Sequence, residues 1–357
     1  MQSIKKALYI IGYLLVIAAI SQATFKTFAY QYAPHLEIFY QITHIQEWKG
    51  GNLWSIAKHL LDGTPRTDLP MYTWANRQLA PRIILGISSI GISYREAAIV
   101  FYWCGIFVIN FILTYTLIKS QKSHKETLGL VILFNYLFIV FHDRTGLGWL
   151  YTWDILSIIF FTIFSYCVVN EKPKYYLVIL FFIALLNRED AAFIALYILI
   201  SGFNIKISKL SVNIKNIYSI ILGCSLIIVS LAYTKAARDY FAFTTKNNTI
   251  GNSVTSLHTA LYDLFVRNFS FNNDKFFFNA IDGFWLIASA ALAVLIYRNA
   301  KQSVRDLIFI YILFILSIII FGNQAINEIR LYLPLFPIFI FIFSQSNSKL
   351  TNEKSPR

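Results

Sequence analysis

Residues 175–203 read YYLVILFFIALLNREDAAFIALYILISGF, two apolar runs with Asn187-Arg188-Glu189-Asp190 set between them. An ionisable side chain at the centre of a membrane helix costs about 2.5–3.5 kcal/mol on an insertion scale, and three stand together here. Such charges are tolerated when they pair, face a wet cavity or reach an interface. As one helix the stretch would run about 43 Å, well past a hydrocarbon core of about 30 Å. The reading that fits is two apolar arms with the charged tetrad at the bend. Arg beside two carboxylates is unusual loop chemistry in so apolar a chain, which favours a functional site over an ordinary solvated turn.

The composition agrees. Of 357 residues 57% are hydrophobic and only 14% charged, against about 25% charged in a soluble domain. The chain is therefore expected to be an all-α polytopic membrane bundle. Its net charge of +13 would suggest nucleic acid in a soluble protein. Here basic residues anchor short inner loops and meet anionic lipid, so no nucleic-acid partner is expected. Cys104, Cys167 and Cys224 lie in apolar stretches with no C-x-x-C spacing, which suggests small core residues and no zinc or redox motif.

Outward from the tetrad, Lys172 and Lys174 on one side and Lys206, Lys209 and Lys215 on the other both mark the inside. The number of crossings between them must be even. A hairpin with the tetrad outside satisfies this, as does a re-entrant bend, and the hairpin is favoured because the flanking lysines can snorkel. Lys5 and Lys6 ahead of Ala7 to Ile20 place the amino terminus inside. Ser21-Gln22-Ala23 resembles a cleavage site, yet an uncleaved anchor is preferred. Residues 25–96 form a long outer loop with a helical stretch and interfacial Trp48, Trp54 and Trp74, and Ile83 to Ile92 is too short to cross comfortably. Further spans are Ala97 to Ile118, Thr127 to Phe141, Thr152 to Val169, Ile217 to Tyr233, Ile281 to Tyr297, Leu307 to Gly322 and Leu331 to Phe343. A second outer loop covers residues 234–280, and the polar tail 345–357 is cytoplasmic. About ten spans result in a single transmembrane domain, 1–344, with both ends inside and no internal repeat.

Under this topology the outer side collects Glu37 and Glu47, Arg77 and Arg82, Asp143 and Arg144, Asp154, the tetrad, and Glu328 with Arg330. One polar cavity open to the outer leaflet explains them together, although adjacent pairs can also neutralise one another. Arg offers a planar fork of donors matched to phosphate oxygens. A carboxylate can take a proton from an acceptor hydroxyl, or hold a divalent metal such as Mg or Mn against the phosphate. No metal-ligand spacing is visible.

Four pieces carry a resemblance: Arg77-Gln78-Leu79-Ala80-Pro81, Tyr151-Thr152-Trp153-Asp154, Leu186-Asn187-Arg188-Glu189-Asp190, and Glu328-Ile329-Arg330 before a proline-bearing last span. In this order the layout resembles the GT-C superfamily of polytopic glycosyltransferases, and more closely a group of bacterial membrane proteins. The resemblance implies a helical first outer loop at the membrane surface. It also implies sugar transfer from a polyprenyl-phosphate donor on the outer face of a bacterial inner membrane. A first-loop carboxylate usually serves there as base or metal ligand, often in an acidic pair. Residues 25–46 hold only Glu37, so Glu37 is the candidate base with Glu47 behind it. Arg188 and Arg330 are expected to bind the donor phosphate, with Glu189, Asp190 and Asp154 orienting the arginines or the acceptor. The alternative is a transporter or flippase of lipid-linked envelope precursors, with the two arms as a gate.

Overall fold

The structure is a computed structural model that describes residues 2–31, 79–92, 94–120, 122–143, 152–206, 211–241, 276–297, 300–321 and 332–345. It is mostly helical. We number the helices α1 (Gln2–Gln31), α2 (Leu79–Ser88), α3 (Tyr94–Lys119), α4 (His124–Asp143), α5 (Thr152–Val169), α6 (Lys174–Leu185), α7 (Ala192–Ile200), α8 (Ile217–Phe241), α9 (Phe276–Tyr297), α10 (Gln302–Phe321) and α11 (Leu335–Ser344).

Starts and stops follow local chemistry. At α4, Ser123 and Glu126 form a capping box: the Ser123 N–H donates to Glu126 Oε2 at 3.0 Å and the Glu126 N–H to Ser123 Oγ at 3.3 Å. Two otherwise unpartnered donors are satisfied at once. Proline precedes both α6 and α11, at Pro173 and Pro334.

The bundle is built around α5, which packs on α2, α3, α6, α10 and α11. Helix α11 is equally enclosed, with Leu335 to Ile342 all buried. Two glycines allow close approach: a Cβ on Gly223 of α8 would fall 2.5 Å from Leu199 N, and one on Gly105 of α3 would fall 2.5 Å from Ile155 Cγ2. Small residues at helix contacts are how membrane helices gain packing without a hydrophobic driving force.

The outside is apolar and part of the inside is polar. Leu15, Tyr136, Ile228, Leu231 and Leu295 are each more than 60% exposed, whereas Asn110, Asn135, Ser21 and Asp154 are buried. A surface of that kind marks contact with a membrane or partner rather than water. Among the described residues three helices are long and apolar enough to cross a membrane, within Ile10–Thr27, Glu96–Lys119 and Ile217–Ala236. The expected ten spans are not all of that length: α6 and α7 have 12 and 9 residues, about 18 and 14 Å.

A buried polar network ties α1, α3 and α4 together. Asn135 Nδ2 donates to Asn110 Oδ1 at 2.7 Å, Asn110 Nδ2 to Ser21 Oγ at 2.9 Å, and Thr24 Oγ1 to Asn135 Oδ1 at 2.8 Å. Trp103 Nε1 donates to Gln22 Oε1 at 2.7 Å. Ser21-Gln22-Ala23 thus lies inside a continuous helix, with Ser21 and Gln22 held by their neighbours.

Three expectations need correction. The fold is not purely helical: Phe203–Lys206 (β1) and Ser211–Ile214 (β2) form an antiparallel hairpin, with Phe203 opposite Ile214 and Lys206 opposite Ser211. Gly202 O accepts the Lys215 and Asn216 N–H groups at 2.8 and 2.9 Å and closes its base. Backbone groups leaving α7 need partners, and a short ladder supplies them. Only Cys167 is buried; Cys104 and Cys224 face outward. Helix ends also run past the expected loop boundaries, since α1 continues to Gln31, α8 to Phe241, and α9 begins at Phe276.

Candidate functional site

The tetrad is a break between two helices. Helix α6 ends at Leu185, and the Asn187 and Arg188 N–H groups both donate to Ala184 O at 2.9 Å. Arg188 then extends the chain for one residue, with φ −164° and ψ 152°, before a 3₁₀ turn at Glu189–Ala191 leads into α7. This one straight residue turns the Arg188 side chain toward the start of α5.

There Arg188 Nη1 donates to Asp154 Oδ1 at 2.7 Å, with the two side chains 8% and 2% exposed. Arg188 Nε stands 3.8 Å from Asp190 Oδ2, an ion-pair contact longer than a hydrogen bond. Asn187, wholly buried, donates through Nδ2 to Ser157 Oγ at 3.2 Å, one turn beyond Asp154 on α5. The Leu79 N–H donates to Leu186 O at 3.1 Å, so the first residue of α2 docks beside the tetrad. Arg82, exposed on α2, lies close enough to Tyr233 to act on its hydroxyl electrostatically.

The depth of this cluster follows from α3. Ile155, next to Asp154, touches Gly105, which lies 14 residues from Lys119 and 11 from Tyr94. At 1.5 Å per residue that is about 21 Å from one end of α3 and about 17 Å from the other. The Asp154–Arg188 pair is thus recessed within the bundle and not at its rim. Removing such a pair from water costs several kcal/mol per ion, recovered only through close geometry and further hydrogen bonds.

Asp154, Asn187, Arg188 and Asp190 come together, with Glu189 in the same turn and Arg82 on the adjoining α2. Asp143 is the last residue of α4. Glu37, Glu47, Arg77, Arg144, Glu328 and Arg330 lie outside the described residues. Ser157 was not anticipated; a hydroxyl one helical turn after Asp154 is the signal that could have found it. Among the described residues no three His, Cys, Asp or Glu side chains stand together to hold a metal ion.

Chemically the cluster can present a fixed guanidinium to an anion. The close Asp154 contact anchors the group, and the longer Asp190 contact is the one a phosphate oxygen can displace.

A second concentration of charge lies at the other end of the bundle. Lys119 and Lys172 Nζ stand 5.6 and 5.8 Å from the Tyr166 ring centre. Beside them a cavity of about 430 Å³ opens between α5, α6, α7 and α10. Comparison of the chain with protein-family models, with curated proteins and with solved structures finds no match.

Proposed function

We propose that the protein is a membrane glycosyltransferase that moves a sugar from a polyprenyl-phosphate donor to an envelope glycan or lipid acceptor on the outer face of a bacterial inner membrane. The observation that carries this reading is Arg188, recessed in an apolar bundle at a helix break and anchored by Asp154 with Asp190 behind it. An arginine is kept in such a place at high cost, and a phosphate on a lipid carrier is a ligand that reaches it through the membrane.

The acceptor hydroxyl oxygen attacks the anomeric carbon, and the bond from that carbon to the phosphate oxygen breaks. Polyprenyl phosphate leaves with the electron pair while Glu37, with Glu47 behind it, takes the hydroxyl proton. Arg188 and Arg330 stabilise the charge that grows on the leaving phosphate, which is where fixed donors accelerate transfer. Asp154 and Asp190 hold the Arg188 guanidinium, and Asn187 fixes the turn through Ser157. Arg82 of α2 adjoins the cluster, and on this reading Arg77, Asp143, Arg144, Glu189 and Glu328 are further substrate-binding residues. Both termini are cytoplasmic in this arrangement.

One observation favours a second reading, a flippase of lipid-linked precursors. The two arms on either side of the break are each about half the length needed to span, as in the discontinuous helices of transporters.

The experiment uses purified protein in nanodiscs with a polyprenyl-phosphate sugar and follows release of polyprenyl phosphate. Release that Glu37→Gln and Arg188→Lys both abolish or cut sharply, with folding intact, supports transfer. Movement of the intact donor across liposomes without cleavage supports the flippase, and full activity in both variants defeats the enzymatic reading.

A further inference from the structure

The cavity at the lysine-bearing end has a chemistry of its own. Lys172, Lys174, Lys215, Asn216, Ser201 and Asp306 contribute to its wall, and its volume falls in the range of small-ligand sites. With Glu171 at the edge, three lysines face two acids. Three helices begin here: α6 at Lys174, α8 at Ile217 and α10 at Gln302. Helix amino termini carry unpartnered N–H groups and the positive end of the dipole. Asn216 Oδ1 caps α8 by accepting the Ser219 N–H at 3.2 Å. Pro173 gives α6 no side-chain cap.

Lys174 is held within the cavity wall by a hydrogen bond from Nζ to Ser219 Oγ, and burial lowers its proton affinity. Asp306 lies just before the apolar run 307–322, with its Oδ1 accepting from Gln302 Nε2 at 2.7 Å. Burial outweighs that hydrogen bond and the nearby Lys215, Lys174 and Arg305, and pushes its carboxyl up to about 6. Tyr197 of α7 and Tyr297 of α9 are the other titratable groups close to it.

We infer that this cavity is a phosphate-binding site, in which Lys174 and Lys215 grip the phosphate at the start of α6 and Asp306 opposes it. The lysines act as charge donors from two elements, and the uncapped first turn of α6 adds backbone N–H groups, as at other helix-terminal anion sites. Asp306 makes occupancy depend on pH: ionised, it repels the ligand, and protonated, it can donate to a phosphate oxygen. Exposed Tyr175, Tyr176 and Tyr218 beside the cavity are residues that settle at the headgroup level of a membrane. An anionic phospholipid headgroup and a soluble phosphate are the two sources that fit, and both present the same oxygens. This site is separate from the Arg188 cluster and does not depend on what that cluster does.

The test compares the full chain in phosphatidylcholine nanodiscs, with and without phosphatidylglycerol, by native mass spectrometry, and titrates inorganic phosphate in the pure phosphatidylcholine discs. Wild type retains phosphatidylglycerol, or binds phosphate, and Lys174→Gln/Lys215→Gln weakens that ligand roughly tenfold or more. Loss confined to phosphatidylglycerol identifies the lipid as source; loss confined to phosphate identifies the soluble ligand. Asp306→Asn guards against misfolding, because it predicts a gain: binding roughly three- to tenfold tighter at pH 7.5 and less dependent on pH than wild type. Unchanged binding of both probes in the double lysine variant, or weaker binding in Asp306→Asn, overturns the proposal.

Discussion

Asp154→Ala removes a close partner, at 2.7 Å, of a guanidinium that has almost no contact with solvent. Arg188 keeps Asp190, but at 3.8 Å rather than 2.7 Å, so the lost contact is the stronger of the two. Breaking a buried pair from one side costs about 3–5 kcal/mol, because the surviving charge is left poorly compensated. The remaining Asp190 contact puts this variant at the lower end, about 3 kcal/mol. Replacing both groups is a different matter. Asp154→Ala/Arg188→Met removes the close pair together and fills the space with an apolar chain of similar reach, a change that is often neutral or stabilising; the Asp190 carboxylate left behind can neutralise itself by taking up a proton. The double variant is therefore expected to be at least 2 kcal/mol or so more stable than Asp154→Ala alone. Equilibrium unfolding by SDS in mixed micelles measures all three. Should the double variant be no more stable than Asp154→Ala alone, the pair is stabilising structure and the case for its retention as chemistry fails.

Gly223→Ala places a methyl against the Leu199 backbone, which cannot step aside as a side chain can; a loss of about 1–3 kcal/mol is expected in thermal unfolding. Asn110→Ala takes from Asn135 and Ser21 their shared partner on α3 and leaves Asn135 only Thr24 of α1 across the contact; the same assay should show a cost of about 1–2 kcal/mol. Asp306 has a carboxyl raised to about 6 by burial, so the folded chain binds more protons than the unfolded one between about pH 4 and pH 6. Its contribution to stability is full below that window and is lost as pH rises through it. Stability of Asp306→Asn relative to wild type should therefore climb from pH 4 to pH 6 and level off above, as followed by unfolding across that range.

Much of this was legible in the order of residues. The break at Asn187 to Asp190 follows from the cost of three charges in an apolar run, and Thr152 to Val169 is a helix at the residues expected. What the chain cannot announce is which partner a charge will choose. Arg188 stands next to Glu189 in sequence, yet its close contact is Asp154, 34 residues earlier, because the extended Arg188 backbone aims the side chain across to α5. The β hairpin escaped notice because four-residue strands flanked by lysines carry too little alternation to stand out. Asp306 was hidden in the same way: Lys174 and Lys215 read as topology markers, and an acid among them drew no attention until the fold placed all three around one cavity. The Asn110–Asn135 contact likewise joins two spans that looked apolar throughout.

The central claim is that Arg188 is held in the bundle to bind the phosphate of a lipid-linked donor. Its most direct test is the rate of polyprenyl-phosphate release by Arg188→Lys, which keeps the charge but loses the planar fork. The account predicts a fall of roughly a hundredfold with the bundle still folded. A rate within about twofold of wild type, on the same scale, contradicts it.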